Sequence, residues 1–501
     1  MDDAVPFAEL VLLLSVAAVA AILSNRLTAR VRLPAPALFL GAAALGVAVL
    51  PGLHMPPEQT VERIVTLALL CILFDGGMSI GVRRFRAAAG PIAMSGVVGT
   101  FLTTGAAAVL IHTAFGFSWY LALLIGTAVA PTDPAVVFSV LGQQEIAGRS
   151  ATIVEGESGA NDPVGIALLI SLLTAGSLSG GAVLQIGAEF VLQIGVGAVV
   201  GVLGGRLILG FMRRVSLPSE GLYPLRTLAC VFALFGATTL LHGSGFLAVF
   251  LAGVVIGDER APFKREIQRF HTALASLGEI VAFVVLGLTV DLHTLARTDV
   301  WVPGVLLGLA LALVIRPVLV GLCLLPARLE PNERAFVLFA GLKGAVPILL
   351  GSFLLAAGIP GAERAYGIVV VVVAFSVVVQ GSLVTTVARR LRLPVHSVPP
   401  QPWSLGVRLA EEPEGVLRLT VEQGSAAEGC TVDEVADTAT DPGHADDVWF
   451  SMLVRDQSLV AARGSTSLRA GDELLVTAED RWHPRLKALF RGSADGDGGT
   501  R

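Results

Sequence analysis

The sequence predicts an all-α polytopic membrane protein followed by a small α/β domain. Of the 501 residues, 54% are apolar and 15% are charged, whereas a soluble domain has about a quarter of its residues charged. Apolar runs of about 17–25 residues, long enough to cross a bilayer, recur as far as residue 390. After residue 393 the pattern changes to short alternating runs separated by Gly and Asp, which is typical of strands. The net charge of −5 gives no indication of a nucleic-acid partner.

About 13 transmembrane helices are predicted from the apolar runs. They cover residues 7–24, 34–50, 61–80, 89–111, 118–141, 150–174, 182–211, 222–241, 245–257, 274–290, 301–325, 333–356 and 365–388. Loops rich in Arg and Lys, such as "NRLTARVR" and "GVRRFR", alternate with loops that carry one basic residue or none. The positive-inside rule then places the N-terminus outside the cell and the C-terminus in the cytoplasm of a plasma-membrane protein. The N-terminus, "MDDAVPFAEL", lacks a basic segment, so we expect the first helix to be retained.

The domain organisation follows from the change in composition near residue 393. Residues 1–392 form the transmembrane domain, and 393–403, which include "PVHSVPPQP", form a linker. Residues 404–490 contain "GVLRLTV", "VWFSMLV" and "DELLVTA", which predict a small cytosolic domain with several strands. The tail, 491–501, is predicted to be disordered. The four cysteines form no close pair, which indicates neither a disulfide framework nor a zinc site.

The fifth span, "LALLIGTAVAPTDPAVVFSVL", carries two prolines around a polar pair. Pro131 and Pro134 flank Thr132 and Asp133. A proline removes a backbone donor and clashes with the preceding turn, so two of them predict a local break. Interrupted helices in mid-membrane mark substrate sites in transporters, because the freed backbone groups bind ions or water. The alternative is a simple proline kink in which Asp133 caps the second half-helix.

The sixth span contains "EGESGANDP", the densest group of polar residues in the membrane region. Ser158, Asn161 and Asp162 are spaced i, i+3 and i+4, so they share one helix face. An ionisable residue inside a membrane helix indicates function, although Asp162 making only an interhelical hydrogen bond is the alternative. Glu157 lies on an adjacent face, where it is expected to pair with a buried cation.

Two cations lie within apolar runs, and each needs a counter-charge. Lys343, one of only three lysines in the chain, lies in "FAGLKGAVPILLG", where Gly344 and Pro347 predict a second interrupted helix. Arg316 lies in "LALVIRPVLV". Glu157 is the predicted partner of Lys343. Because the two interrupted helices fall in different halves of the membrane region, they indicate inverted repeats around a central site.

Three further carboxylates in apolar runs receive weaker predictions. Asp75, in "TLALLCILFDGGMSI", precedes two glycines that allow another helix to come close. It is either part of a site or a helix-end aspartate near the cytoplasmic interface. Glu189 and Glu279 are interpreted as an interfacial residue and a helix-packing residue, respectively.

The motifs "PTDP", "ESGANDP" and "GLKGAVP", in this order, resemble those of the monovalent cation:proton antiporters of the NhaP/NHE type. The resemblance covers nearly all of residues 1–390. It implies a homodimer with an interface domain and a mobile core domain, in which the fifth and twelfth spans are crossed, discontinuous helices.

The C-terminal stretch "VRDQSLVAARGSTSLRAGDELLV" resembles the C-terminal half of regulatory domains of potassium transporters and channels (RCK-C, TrkA-C type). That half implies a cytosolic regulator whose ligand is not identified.

The resemblance also implies roles for individual residues. Asp162 corresponds to the essential carboxylate that binds a cation and a proton in turn. Asn161 takes the position that is Asp in electrogenic relatives, which implies electroneutral exchange. The positions that line or support the site are Thr132, Asp133, Ser158 and Asp75, the last in place of a more usual glutamate. The pair of Glu157 and Lys343 resembles the family's carboxylate–arginine pair, with Lys in place of Arg.

The chemistry of these residues predicts exchange of K⁺ or Na⁺ for H⁺, with no cofactor and no enzymatic activity. Alkali ions are hard cations that prefer carboxylate, hydroxyl and carbonyl oxygens. An empty, ionised carboxylate is too costly to move through the membrane, so only the loaded states cross.

A regulated cation channel is the alternative function, although no filter segment such as "TVGYG" is present. An intramembrane aspartyl enzyme built on "IGDE" around Asp258 and a pure sensor are weaker alternatives. The sequence leaves open whether the cation is K⁺ or Na⁺.

Overall fold

A computed structural model describes residues 12, 19, 34–49, 57–141, 144–146, 149–178, 180–327, 329–393, 395–397, 415–441, 444, 447–455 and 458–492. The chain divides into two compact units, Met1–Leu405 and Gly406–Arg501. The first predicted span, apart from two of its residues, lies outside the described residues. So do most of the predicted linker and the tail from residue 493.

The first unit is built of helices. In chain order the first ten are α1 Ala35–Val49, α2 Glu58–Ala93, α3 Gly99–Phe115, α4 Trp119–Val129, α5 Pro134–Leu141, α6 Arg149–Ala175, α7 Gly180–Arg214, α8 Leu222–Leu240, α9 Gly245–Gly257 and α10 Lys264–Leu288. The next seven are α11 Leu292–Leu295, α12 Thr298–Ala310, α13 Gly321–Cys323, α14 Pro331–Phe339, α15 Ala345–Ala356, α16 Ala362–Phe375 and α17 Gly381–Arg390. Three π-helical segments, Met94–Val98, Leu311–Val320 and Ser376–Gln380, join successive helices.

The predicted class, a mostly helical polytopic membrane protein, is confirmed. Among the described residues, seven helical segments are long and apolar enough to cross a membrane, and four shorter apolar helices accompany them. The number of 13 spans and the inverted repeats stay predictions. A short antiparallel ladder in the same unit pairs β1, Gln144–Ile146, with β2, Val395–Ser397.

Two predicted boundaries were wrong. The stretch "GVRRFR", predicted as a loop, is helical after its first residue, Gly81, where one helical stretch ends and the next begins. The chain changes direction at Gly81, whose φ is 65°, and Asp258 accepts a hydrogen bond from the backbone N–H of Arg83 at 2.6 Å. This carboxylate satisfies a donor at the start of the second helical stretch, so the two stretches follow each other directly across the kink at Gly81. The tenth span also begins earlier, at Lys264.

Glycines allow the long helix α2 to cross α9 at close range. A Cβ atom on Gly77 would overlap the backbone of α9 at Phe250, and one on Gly253 would overlap the backbone of α2 at Phe74. Without side chains at these positions, the two backbones touch, as in other small-residue contacts between membrane helices. This contact fixes α2 against the centre of the unit, where α6 also packs.

The second unit is a four-stranded antiparallel sheet with two helices. Its strands are β3 Val416–Thr420, β4 Val448–Arg455, β5 Ser458–Val460 and β6 Glu473–Ala478, in the order β3-β6-β4-β5. The helices α18, Val432–Ala439, and α19, His483–Phe490, add to a core that includes Leu453, Leu474, Val476 and Leu486. The three predicted strand stretches are β3, β4 and β6, because alternate apolar residues face this core.

Candidate ion-binding site

The site lies where two interrupted helices meet. The first interruption separates α4, which ends at Val129, from α5, which begins at Pro134. The second separates α14 from α15 and covers residues 340–344. The backbone N–H of Asp133 donates to the carbonyl oxygen of Leu342 at 2.8 Å. The unwound segments are therefore in direct contact, and their freed backbone groups satisfy each other in the membrane interior.

The residues expected to break these helices act in different ways. Pro131 lies inside the first interruption, and Pro134 is the first residue of α5, a position that tolerates proline. Gly344 precedes α15, and a Cβ atom there would overlap the carboxylate of Asp133. Pro347 follows the second interruption rather than lying inside it. It lies in the first turn of α15, where the backbone has no intrahelical acceptor for an N–H, so the helix loses no hydrogen bond.

Lys343 caps the end of the first half-helix. Its Nζ donates to the carbonyl oxygens of Ala130 at 2.8 Å and Pro131 at 3.1 Å. These carbonyls carry the negative end of the α4 dipole, which attracts a cation. The backbone N–H of Lys343 donates to Ser376 Oγ at 2.9 Å. Lys343, which belongs to the second interruption, thus joins it through its side chain to the first.

The predicted ion pair between Glu157 and Lys343 was wrong, because Arg316 takes the place of the lysine. Arg316 Nη1 donates to Glu157 Oε1 at 2.6 Å, and the two side chains are 8% and 1% exposed. Arg316 also donates through Nε to Leu338 O at 2.8 Å and through Nη2 to Val337 O at 3.1 Å. A guanidinium has donors in several directions and can serve a carboxylate and a helix end together, which an ammonium on a flexible stem does less well.

The charged residues lie at equivalent ends of the two interrupted helices. Arg316 caps the carboxyl end of α14, and Lys343 caps the carboxyl end of α4. Asp133 immediately precedes α5 and lies against Gly344, which immediately precedes α15. A negative charge near two helix N-termini and positive charges near two helix C-termini are each stabilised by the helix dipoles. The signal in the sequence for Arg316 was its position in an apolar run, where a cation needs a counter-charge.

The buried polar residues of α6 face the first interruption. Asn161 Nδ2 donates to Thr132 Oγ1 at 2.7 Å, and the backbone N–H of Thr132 donates to Asn161 Oδ1 at 3.3 Å. Ser158 Oγ donates to Asp162 Oδ2 at the long distance of 3.5 Å. Thr132, Ser158, Asn161 and Asp162 are all buried. The predicted shared face of α6 thus meets the predicted break.

Asp162 has an unused ligand atom. Its Oδ1 is enclosed and has no hydrogen-bond partner among the described residues. Asp133 and Lys343 are charged groups that act on this carboxylate. Within the described part of the chain, no three His, Cys, Asp or Glu side chains cluster as metal ligands. A cation at Asp162 would therefore need hydroxyl and carbonyl oxygens as its other ligands, a set that suits alkali ions.

Two other carboxylates occupy unexpected positions. Asp75 Oδ1 accepts a hydrogen bond from Thr272 Oγ1 of α10 at 2.8 Å. Glu279, which was interpreted as a helix-packing residue, interacts electrostatically with Asp133. Sequence reasoning missed this interaction, because Glu279 belongs to no motif and lies far from residue 133 in the chain.

The chain is similar to known proteins over most of its length. A family model described as "Sodium/hydrogen exchanger, transmembrane" matches residues 14–390. The K(+)/H(+) antiporter NhaP2 of Shewanella sp. (strain MR-4) is 31% identical over 483 residues, covering 94% of this chain and 82% of that protein. The K(+)/H(+) antiporter NhaP of Alkalimonas amylolytica is 33% identical over 494 residues, covering 97% and 83%. The structure of the sodium proton antiporter MjNhaP1 from Methanocaldococcus jannaschii has a TM-score of 0.65 at 20% identity, covering 77% of this chain and 99% of that one.

Proposed function

The chain belongs to the transmembrane sodium/hydrogen exchanger family and exchanges a monovalent cation for a proton, and we propose that Asp162 carries both ions in turn. The observation that supports this role is the enclosed Asp162 Oδ1, which has no hydrogen-bond partner among the described residues. A bare carboxylate at this depth is costly, so it is occupied by a proton or by a cation whenever it changes sides. Competition for one carboxylate couples the two fluxes.

The other ligands of the cation come from the residues around the first break. Ser158 Oγ, Thr132 Oγ1 and a carbonyl oxygen freed by the interruption complete the oxygen shell with Asp162, and Asp133 adds negative charge beside it. Asn161 holds Thr132 through two hydrogen bonds. Because Asn161 is uncharged, Asp162 is the one residue of this pair that titrates. This supports electroneutral exchange of one cation for one proton.

The test is proton flux in proteoliposomes that contain the purified protein, with a pH-sensitive dye inside. The variant Asp162→Asn keeps the size of the side chain but removes its charge, so we expect exchange to be lost. Asp291→Asn is a matched control, since Asp291 caps the short helix α11 at an exposed position. Wild-type exchange by Asp162→Asn would refute the assignment. A saturable, proton-coupled flux separates exchange from the alternative of a cation channel.

The same assay identifies the cation. We propose that K⁺ is a substrate, because relatives that are 30% identical or more over nearly the whole chain are named K(+)/H(+) antiporters. Na⁺ stays a second candidate, since a relative from Synechocystis named Na(+)/H(+) antiporter NhaS2 is 27% identical over 399 residues. Titration with K⁺, Na⁺ and Li⁺ at several pH values separates these possibilities. The proposal includes no resident cofactor, only the transported ions.

We also propose a homodimer in the plasma membrane, with the N-terminus outside and the C-terminus in the cytoplasm. The alternation of basic loops supports this orientation. Helix α7 leaves apolar side chains uncovered, such as Leu184 at 79% and Leu207 at 75% exposure. Lipid and a second copy of the chain are the two environments that such a membrane helix favours. Cross-linking through single cysteines placed on α7 in native membranes distinguishes them.

Finally, we propose that the cytosolic domain regulates exchange. The β2 strand, which precedes that domain, pairs with β1, and β1 lies in the loop directly after α5. This ladder connects the chain leading to the domain with the half-helix that begins at the ion site. Truncation after residue 405 and the substitution Val395→Pro are both expected to change the exchange rate in the same direction. Changes of the exchange rate in opposite directions would contradict regulation that acts through β2.

A further inference from the structure

Two polar residues of the third π-helical segment, Ser376 and Gln380, have no part in the oxygen shell proposed for the cation. Both side chains are buried, and their i, i+4 spacing places them on one face. Other buried hydroxyls, such as those of Thr100 and Ser171, donate to a carbonyl one turn earlier in their own helix. Ser376 Oγ instead donates to Gln380 Oε1 at 3.1 Å. The two side chains thus bond to each other, in a kind of helical turn that is frequent at functional sites.

Ser376 and Gln380 bridge the second interruption. The backbone N–H of Lys343 donates to Ser376 Oγ at 2.9 Å. Gln380 Nε2 donates to the carbonyl oxygen of Phe339, the last residue of α14, at 2.7 Å. Together with the bond between the two side chains, these contacts form one continuous chain of hydrogen bonds. The chain runs from Lys343, inside the unwound segment, to the end of the helix that precedes it.

Hydrogen bonds rather than close packing hold the unwound segment on this side. A small cavity borders it, and the lining of this cavity includes Thr103, Arg316, Gly341, Lys343, Ser376 and Gln380. Atoms beside a void lose the van der Waals contacts that would otherwise fix them. The position of Lys343 therefore depends on the hydrogen-bond acceptor that Ser376 provides.

We propose that Ser376 and Gln380 are positioning residues for cation exchange, which set the place of the Lys343 ammonium at the carbonyl oxygens of Ala130 and Pro131. The inference rests on the proposed function, in which a carbonyl oxygen of the first interruption is a ligand of the cation. Lys343 Nζ donates to both carbonyls, so a displaced ammonium changes the oxygens that the cation meets. Ser376 and Gln380 act through Lys343 and do not bind the ion themselves.

The experiment compares Ser376→Ala with the wild type in proteoliposomes that contain equal amounts of folded protein. Loss of one neutral hydrogen bond corresponds to a change of about fivefold in affinity. We therefore expect the apparent KM for the transported cation, K⁺ or Na⁺, to rise by about this factor while the maximal rate is retained. Ser376→Thr keeps the hydroxyl and should keep the wild-type KM. Ser352→Ala is the matched control, because Ser352 is buried and its hydroxyl donates to Leu349 O of its own helix.

Gln380 provides an independent test of the chain. Gln380→Met keeps the length of the side chain but removes both of its hydrogen-bonding groups, so the KM should rise as in Ser376→Ala. Because the bonds form one chain, the two changes should be non-additive, and the double variant should have a KM close to that of either single variant. Additive effects of the two changes would show that the residues act independently and would overturn the proposal.

The remaining outcomes separate this proposal from the proposed function. An unchanged KM in Ser376→Ala and Gln380→Met, with or without a lower maximal rate, overturns the positioning role, whatever Asp162→Asn does. A KM in Ser376→Thr as high as that in Ser376→Ala also overturns it. Active Asp162→Asn overturns the proposed function instead.

A second measurement covers variants that reconstitute poorly. The K⁺ or Na⁺ concentration that gives half-maximal thermal stabilisation in detergent reports the affinity of the folded protein alone. This concentration should rise about fivefold in Ser376→Ala and stay at the wild-type value in Ser352→Ala. The same concentration in Ser376→Ala as in the wild type contradicts the proposal.

Discussion

The backbone N–H of Asp133 and the carbonyl oxygen of Leu342 form a 2.8 Å hydrogen bond that ties one interrupted helix to the other. Neither group has a partner within its own helix, because a proline or glycine interrupts that helix nearby. Lys343, the residue after Leu342, crosses back to the carbonyls of Ala130 and Pro131. The two breaks therefore form one structural unit, and a change in either is expected to move the ion ligands of both.

The close approach at Gly344 is the first testable feature of this unit. Gly344→Ala would place a Cβ atom against the carboxylate of Asp133, so we expect exchange to fall by at least about tenfold, as for a misplaced catalytic or binding group. Gly105→Ala is the matched control, because that glycine of α3 has open space where the Cβ would go. Proton flux in proteoliposomes with equal protein content measures both. An active Gly344→Ala would mean that Asp133 does not need its present position.

The buried pair of Glu157 and Arg316 is expected to stabilise the fold rather than to bind the cation. Glu157→Gln leaves Arg316 without its counter-charge in a low-dielectric region, which costs about 3–5 kcal/mol. Thermal unfolding followed by size-exclusion fluorescence measures the loss. Glu330→Gln serves as a control at the exposed start of α14. Unchanged thermal stability of Glu157→Gln would contradict a structural role for the pair.

The hydroxyl ligands are expected to set affinity and not to be essential. Ser158→Ala removes the donor to Asp162 and one oxygen of the proposed shell, so the apparent KM for the cation should rise by about five- to tenfold. The maximal rate should fall less, because Asp162 still exchanges the two ions. Asp75→Asn should leave the KM nearly unchanged, since Asp75 is bonded to Thr272. A large increase in KM for Asp75→Asn would place it among the ligands after all.

The C-terminal domain is expected to lose stability in acid through Asp472. Burial of this carboxyl works to raise its pKa, but hydrogen bonds from Arg455 and from the backbone N–H of Arg469, with their charges, hold the pKa below its usual value. A lowered pKa in the folded state stabilises the domain above the pKa of the unfolded chain, about 3.9. This contribution disappears as the pH falls through the lower, folded value.

Asp472→Asn should therefore be less stable than the wild type at pH 7, and the difference should shrink below about pH 4. Urea titration of the full-length protein, read by protease sensitivity of peptides from residues 415–492, measures it. Asp437→Asn, at an exposed position of α18, is the control that should not change stability. A difference between wild type and Asp472→Asn that stays constant down to pH 3 would contradict the assignment.

The amino-acid sequence by itself determined the membrane class, the two breaks and the polar face of α6. Hydrophobic length, the prolines around Asp133 and the i, i+3, i+4 spacing of Ser158, Asn161 and Asp162 act over a few residues, and local chemistry fixes their consequences. The strands of the C-terminal domain were predictable for the same reason. The direct join of two helical stretches at Gly81 was not, because a distant residue, Asp258, satisfies the backbone there.

Only the tertiary structure decided which charges meet. The sequence offered Glu157 two buried cations, and folding brought it to Arg316, because Arg316 reaches the end of α14 while Lys343 is held by the end of α4. Likewise, nothing local connects Glu279 with Asp133. Coulomb interactions depend on distance in space, and helix packing sets that distance between residues far apart in the chain.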